Sequence, residues 1–265
     1  MSQKVNELFD RLWKQYIEIT PSANKIHKVL GGGSELINDH VALRTFNIPN
    51  INLEVLATFF IEMGYQEKGQ YEFKFKKLNA KHFEHPDKTL PKVFISELRL
   101  ELCSDNLNDI VSRLVSQIDD VALIDNSFLY SGTHWQVSYQ DYLALLDESE
   151  YAAWMAAFGF RANHFTVSVN LLKGYETLHG VNQALKDNGF VLNTSGGEIK
   201  GSVGVMLEQS STLADQHLMA FLDQNKEIPG CFYEFAYRYP QENGSLYQGF
   251  VAASADKIFE STNRR

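Results

Sequence analysis

The sequence predicts an α+β protein built from two copies of a βαβββ module. A strand-like run with a histidine near its start occurs twice, at Asn38-Asp39-His40 and at Ala162-Asn163-His164. A helix-like run follows each copy and stops at a glycine, Gly64 or Gly189. Further strand-like runs come after each helix. Two copies of such a unit indicate paired modules, with additional helices at the N-terminus and between the modules.

Composition limits the classes of function. The 265-residue chain has 22% charged and 44% hydrophobic residues, which is typical of a folded globular protein. Its formal net charge of −9 argues against nucleic acid as a partner, because an acidic surface repels phosphates. No apolar run has the length of a membrane span, and the N-terminus lacks an apolar signal core, so we expect neither membrane insertion nor secretion. Cys103 and Cys231 are too few for a disulfide framework and indicate thiols in a reducing cytoplasm.

The chain divides into four segments that we expect to form a single domain. Apolar residues at helical spacing predict one N-terminal helix over about 4 to 30. The segments that follow are the first module (about 35–104), a helical connector and possible lid (105–160), the second module (161–240) and a C-terminal segment (241–265). Strands after the module helices are predicted over 71–76 and 92–98 in the first module, and over 204–209 and 230–238 in the second.

Alternation along the predicted strands places polar residues on shared faces. His164 heads a polar face of its strand, whose opposite face is apolar. His40 and Arg44 share a face about 13 Å apart, and a small acid would fit between them because Arg binds carboxylates through two donors. Glu234 is an acid within an aromatic strand. Its burial requires either a salt bridge to Arg or Lys or a metal ion, and both interpretations stay open on the pattern alone.

Two imidazoles and one carboxylate on one side of a metal form the ligand set of many non-haem Fe(II) enzymes. His40, His164 and Glu234 supply these groups from matching positions: the first strand of each module and the last strand of the second. When the last strands of the modules are aligned with Phe94 opposite Phe232, Ser96 takes the place of Glu234, and a shift of one residue would place Glu97 there instead. With Ser96 in that place, the duplication would supply two histidines and only one ligand carboxylate.

The other histidines point less clearly to a site. His82 and His85 have metal-like spacing, but they lie in a charged, proline-containing run in which we expect solvated side chains. Isolated histidines are by default surface or hydrogen-bonded residues, and that is the expectation for His27, His134, His179 and His217.

Four runs resemble the DUF1338 family, which is associated with 2-oxoadipate dioxygenase/decarboxylase. The resemblance spans about 32 to 239 and implies the vicinal-oxygen-chelate fold, in which paired βαβββ modules form a half-barrel. The strand at 232–238 is also similar to the end of 4-hydroxyphenylpyruvate dioxygenases, where the equivalent glutamate binds iron, and this favours Glu234 over Glu208. The four runs are Asn38–Phe46 (NDHVALRTF), Leu90–Leu98 (LPKVFISEL), Asn163–Thr166 (NHFT) and Met206–Asp215 (MLEQSSTLAD).

Carried over by position, the resemblance implies that His40, His164 and Glu234 bind Fe(II). It also implies that Arg44 binds the distal carboxylate of a 2-oxo diacid and serves as a catalytic residue. The implied reaction consumes O₂ and converts 2-oxoadipate to 2-hydroxyglutarate and CO₂. Some family members are much longer than this chain, which leaves the exact acid open.

Two further side chains are predicted for the pocket, and two other functions fit the sequence. Gln209 and Ser211 are expected to line the substrate pocket. One rival is a Zn²⁺, Mn²⁺ or Ni²⁺ enzyme of the same fold with isomerase, lyase or hydrolase activity. The other is a binding protein without catalysis.

Overall fold

Two helices precede the first strand: α1 (Ser2–Ile19) and α2 (Pro21–Gly31). The single helix predicted over 4 to 30 is therefore wrong at Pro21, which begins a new helix. Proline is favoured in the first turn of a helix, where its missing N–H is not needed. The computed structural model describes residues 2–32, 36–119 and 125–262.

The first module has the predicted order of elements. Asn52 caps its helix by accepting a hydrogen bond from the amide of Val55. The strand predicted over 71–76 instead ends at Phe73, because residues 74–77 form the turn that leads into the next strand. The elements are β1 (Asn38–Phe46), α3 (Leu53–Glu62), β2 (Gln66–Phe73), β3 (Leu78–Glu84) and β4 (Lys92–Leu98).

The described residues of the connector form three α-helices, α4 (Asp105–Val115), α5 (Tyr139–Glu148) and α6 (Glu150–Phe158). Helix α6 is an interior helix, since every residue after its first is buried. It ends at Gly159, which has a φ of 64° and whose Cβ, if present, would overlap the carbonyl of Gly132. Only glycine fits this position.

The second module repeats the first with an insertion. The strand predicted from Gly204 begins only at Leu207, because residues 203–205 form a 3₁₀ turn. A polar hairpin that the sequence pattern did not indicate, β8–β9, separates the last two strands of the module. The elements are β5 (Ala162–Ser168), α7 (Leu178–Asp187), β6 (Lys200–Ser202), β7 (Leu207–Ser211), β8 (Gln216–Ala220), β9 (Asn225–Pro229) and β10 (Phe232–Arg238), followed by α8 (Ala252–Phe259).

The two modules share one eight-stranded sheet in the order β2-β3-β4-β1-β5-β10-β7-β6. Strands β1 and β5 pair antiparallel at its centre. Each also pairs in parallel with the last strand of its own module, β4 or β10. The sheet curls into a half-barrel of two related halves, which confirms the predicted fold class.

The two faces of β5 differ as the alternation predicts. Phe165 packs against Trp13 and Tyr16 of α1, with ring centroids 5.0 Å apart in both pairs. His164 and Thr166 point to the opposite face, inside the half-barrel, where Thr166 Oγ1 lies 3.1 Å from His40 Nε2. The helices thus cover the apolar face and leave the polar face to form a site.

The helices and the thiols bear on membrane insertion and on disulfide formation. Within the part of the chain that the structure describes, no helix combines the length and apolar character needed to cross a bilayer. Cys231 is buried, Cys103 is half-buried, and both are free thiols.

Candidate metal centre

Three side chains from neighbouring strands meet inside the half-barrel: His40 of β1, His164 of β5 and Glu234 of β10. One donor atom from each lies within 4.8 Å of the others. His164 Nε2 is 3.2 Å from Glu234 Oε2, and His40 Nε2 is 3.7 Å from Glu234 Oε1. Their relative exposures are 2%, 5% and 1%. The fold therefore brings together the ligand set predicted from the sequence.

Strand register explains why these distant residues converge. Ala42 lies opposite His164 in the antiparallel β1–β5 pair, so His40 is a diagonal neighbour of His164 on the same face. In the parallel β5–β10 pair, Glu234 lies opposite Thr166, two residues along that face. Phe232 lies opposite His164 and stacks on its ring, with centroids 4.7 Å apart.

Each histidine is oriented by the residue that precedes it. His40 Nδ1 lies 2.8 Å from Asp39 Oδ1, and His164 Nδ1 lies 3.0 Å from Asn163 Oδ1. When Nδ1–H is donated to these oxygens, the Nε2 lone pair faces the carboxylate of Glu234, as a metal-binding imidazole requires. The repeated Asp/Asn-His pair of the sequence thus sets the tautomer in both modules.

Asp39 is itself held by Arg238. Arg238 Nε donates to Asp39 Oδ2 at 2.7 Å, and its Nη2 donates to Oδ1 at 2.8 Å. Burial alone would raise the pKa of Asp39, but Arg238 and the hydrogen bond from His40 hold it well below its usual range. Asp39 therefore stays ionised and strengthens the donor capacity of His40 towards a cation.

The electrostatics of the three groups fit a bound cation. Burial raises the pKa of Glu234 to about 8, although Gln209 donates a hydrogen bond of 2.6 Å to its Oε1. Burial also lowers the pKa of His40, and it lowers that of His164 well below the usual range together with the nearby charges of His40 and Arg44. A divalent ion would compensate the buried carboxylate and take up the lone pairs of two neutral imidazoles. Across residues 2–32, 36–119 and 125–262, no Arg or Lys forms an ion pair with Glu234, so the salt-bridge alternative is wrong.

Arg44 lies on the same face, with relative exposure of only 2%. Its Nη1 donates to Glu150 Oε1 at 3.1 Å. Its guanidinium carbon lies 4.8, 5.0 and 5.4 Å from the ring centroids of Tyr151, Trp154 and Phe259. Nε and Nη2 have no hydrogen-bond partner among the described residues. Buried donors without a partner are costly, and these two have the geometry to bind a carboxylate.

A cavity of about 20 Å³ lies between the three candidate ligands and Arg44. It has room for about one water molecule. Phe250, Ala255, Ile258 and Phe259 of the C-terminal segment cover it, and the Phe250 ring lies 4.8 Å from that of His40. The expectation that the connector is the lid is therefore wrong: the connector supplies side chains that pack on Arg44, and the C-terminal segment forms the cover.

The two other predicted pocket residues have different surroundings. Gln209 lines the cavity, and its Oε1 has no partner in the described part of the chain. Ser211 is buried next to Glu234 in the sheet, but its hydroxyl lies 2.7 Å from that of Ser261, and it does not line the cavity. Contact of Gln209 and Ser211 with substrate stays a prediction.

The alignment of the last strands is wrong by two residues. Strand β4 pairs Phe94 with Ala42, and β10 pairs Glu234 with Thr166, so the counterpart of Glu234 in the first module is Phe94 and not Ser96. Glu208, the other acid considered, is outside the ligand group and lies opposite Tyr237.

His82 also departs from its prediction, because it lies buried on β3 with a relative exposure of 2%. Its Nδ1 lies 2.9 Å from the hydroxyl of Tyr71, which accepts a hydrogen bond of 3.2 Å from the amide of Phe250. Its Nε2 lies 3.4 Å from Glu84. This network anchors the segment that covers the cavity. The charged residues and the proline near His82 in the sequence suggested a solvated run, whereas His82 lies on a strand and its side chain points into the protein.

A family model described as 2-oxoadipate dioxygenase/decarboxylase matches residues 3–245. The chain belongs to this family. A curated relative from Oryza sativa subsp. japonica is named 2-oxoadipate dioxygenase/decarboxylase, chloroplastic/amyloplastic, and is 34% identical over 277 residues. That match covers 94% of this chain and 76% of the relative. The predicted family is confirmed, and the chain is an enzyme of this family.

Three solved structures are similar to this chain along most of its length. A protein from Shewanella frigidimarina NCIMB 400, described as a candidate hydrolase, is 59% identical with a TM-score of 0.91, covering 94% of this chain and 98% of its own. The hydroxyglutarate synthase from Oryza sativa, in complex with 2-oxoadipate, is 32% identical with a TM-score of 0.88, covering 97% and 91%. A glyoxalase-superfamily protein from Ralstonia eutropha JMP134, at 21% identity, TM-score 0.77 and coverage of 93% and 85%, shares the fold.

Proposed function

We propose that this enzyme is an Fe(II)-dependent dioxygenase and decarboxylase of a 2-oxo dicarboxylic acid, with 2-oxoadipate as its substrate. One molecule each of 2-oxoadipate and O₂ would give one molecule each of 2-hydroxyglutarate and CO₂, which balances all atoms. The observation that carries the proposal is the pairing of a buried His-His-Glu group with the unpartnered donors of Arg44. The rice structure bound to 2-oxoadipate supports the choice of acid.

The proposed metal-binding and substrate-binding roles can be assigned to individual side chains. His40, His164 and Glu234 would hold the iron, which when bound supplies the chemistry with O₂. Arg44 would bind the distal carboxylate and so position the reacting end of the acid. Gln209 holds the carboxylate of Glu234 in place through its hydrogen bond.

The covered cavity implies a gated reaction. A space of about 20 Å³ cannot hold a six-carbon acid, so substrate access requires the C-terminal cover to move away from His40 and Arg44. Such covers commonly exclude water during reaction and open for product release. The hydrogen bond between the Phe250 amide and Tyr71 is one contact that this opening would break.

The test is an anaerobic titration of the purified chain with Fe(II) and 2-oxoadipate, followed by admission of O₂. We expect an absorption band that needs both metal and acid and that fades when O₂ enters. Oxygen uptake should match CO₂ release and 2-hydroxyglutarate formation one to one. Turnover of the acid without oxygen uptake would contradict the proposal.

A hydrolase that uses the His-His-Glu group for a metal is the second candidate, because the Shewanella protein at 59% identity is described as a candidate hydrolase. A Zn²⁺ hydrolase would act without O₂, so activity with Zn²⁺ under anaerobic conditions separates the two functions. The unpartnered donors of Arg44 fit a free carboxylate and favour the 2-oxo diacid.

The location in a reducing cytoplasm stays a proposal. The free thiols of Cys103 and Cys231 support a reducing compartment. The rice relative is named as chloroplastic/amyloplastic. Cell fractionation with an antibody to the chain would test the location.

A further inference from the structure

A second and larger cavity lies next to the metal centre. Its volume is about 390 Å³, and it is formed where the N-terminal end of β1 meets the ends of β4, β5 and β10. Its floor includes the buried residues Asp39, Ser168 and Arg238, and its rim includes the exposed Lys88 and Ser245. The cavity thus runs from solvent to the residues that orient His40.

Among the residues that the structure describes, the acidic and basic side chains lining this cavity are paired, with one exception. Asp39 is neutralised by the two hydrogen bonds from Arg238. Glu84 is paired with Lys88, at 2.7 Å. After these two pairs, the remaining lysine of the lining is Lys92. The cavity therefore carries excess positive charge in a protein whose formal net charge is −9.

Lys92 is positioned to bind an anionic ligand through its ammonium group. It lies beside His40 in the β1–β4 pair and points to the same face of the sheet. Among the described residues, its ammonium forms no hydrogen bond or ion pair. Burial lowers the pKa of Lys92 from its usual value, although Asp39 and Glu84 act in the opposite direction. A partly desolvated cation without a partner is stabilised by an anion.

The cavity is separate from the chamber of the metal centre. Ser245, Leu246 and Gln248 line the larger cavity, and Phe250 covers the smaller one. The same stretch of chain is therefore the partition between them. An acid at Lys92 would lie outside the metal chamber and next to the segment that has to move for access.

We propose that this cavity is a second carboxylate-binding site, in which Lys92 binds one carboxylate of a small dicarboxylic acid before it reaches the metal chamber. The polar groups of Ser168 and Asn170 line the same space and suit the remaining oxygens of the acid. That the acid is the enzyme's own substrate rests on the proposed function. The existence of the site does not.

The first experiment measures binding of adipate, which has two carboxylates and no 2-oxo group, to the metal-free chain by isothermal titration calorimetry. Lys92→Gln is expected to weaken binding at least tenfold, and Lys92→Arg to remain within about threefold of the parent chain. Lys173→Gln is the matched control, since it removes the same charge from an exposed turn. Arg44→Lys, which alters the metal chamber, is expected to leave the Lys92-dependent part of this binding unchanged. Adipate binding that is as tight in Lys92→Gln as in the parent chain, or no adipate binding to the parent chain, would overturn the proposal.

The second experiment measures turnover of the 2-oxo diacid by the Fe(II)-loaded enzyme. Lys92→Gln should lower kcat/KM about tenfold and leave kcat within about twofold, because Lys92 acts before the chamber closes. The salt dependence of kcat/KM should weaken in the same variant. A fall in kcat with KM unchanged would refute capture outside the chamber. If the enzyme does not oxidise 2-oxo acids at all, the adipate result still decides whether the site exists.

Discussion

Replacing Arg44 by lysine or glutamine tests the assignment of the distal-carboxylate site. Nε and Nη2 have no partner in the described part of the chain, so a carboxylate would gain two charge-assisted hydrogen bonds. Each contributes about 1.5–3 kcal/mol, so the loss of both costs about 3–6 kcal/mol. At about 1.4 kcal/mol per tenfold, Arg44→Gln should weaken binding of the diacid by roughly 10²–10⁴-fold. Arg44→Lys keeps the charge but lacks the paired donors, so its affinity for the diacid should lie between those of the parent chain and Arg44→Gln.

The assay is a comparison of two ligands on the metal-loaded protein: 2-oxoadipate and 2-oxohexanoate, which has a methyl group in place of the distal carboxylate. The parent enzyme should prefer the diacid by the factor given above, and Arg44→Gln should remove the preference without releasing the metal. Glu150→Gln is the control, because it removes the ion-pair partner of Arg44 and leaves both free donors in place. Equal discrimination by the parent and Arg44→Gln would refute the reasoning.

Three further predictions concern metal binding, the pH dependence of folding stability and the cover over the cavity. Asn163→Ala removes the acceptor of His164 Nδ1–H and should weaken metal binding about 10–100-fold in a metal titration; unchanged affinity would contradict this role. Burial lowers the pKa of His27 to about 4, so the unfolded chain takes up the proton first and stability should fall by about 1–2 kcal/mol as pH decreases from about 6.5 to about 4. Denaturant unfolding should show a smaller loss for His27→Gln, and equal losses would contradict the assignment. Tyr71→Phe removes the hydroxyl that accepts a hydrogen bond from the Phe250 amide, so hydrogen exchange at that amide should become faster. Unchanged exchange would show that this hydrogen bond does not hold the cover in place.

The duplicated module was predictable because its signal is local and occurs twice. The Asp/Asn-His pair opens β1 and β5, and each helix ends before a glycine, so the order of elements followed from short patterns. The three candidate ligands could also be predicted from the sequence, since two of them occupy equivalent positions in the repeat. The sequence did not show the orienting role of Asp39 and Asn163, because adjacent residues of an ideal strand point to opposite faces.

The parts that were missed depend on long-range packing. The strand register makes Phe94, and not Ser96, the counterpart of Glu234 in the first module. A shift of two residues keeps the same side chains on the same face, so no local pattern distinguishes the two registers. His82 faces inward only because β3 pairs with β4. The cover over the cavity comes from residues 250–259, which are far along the chain from both histidines.

The difference between Phe94 and Glu234 has a consequence for the whole enzyme. Two nearly equivalent halves could have formed two reactive centres or one symmetrical centre, but in the described part of the chain only the second half contributes an acid to the candidate ligand group. An ion held by His40, His164 and Glu234 would meet no donor from Phe94, so that flank is left for the incoming molecule. Under the proposed function, this asymmetry would orient the substrate, because the guanidinium of Arg44 would determine which carboxylate of the diacid lies away from the reacting end.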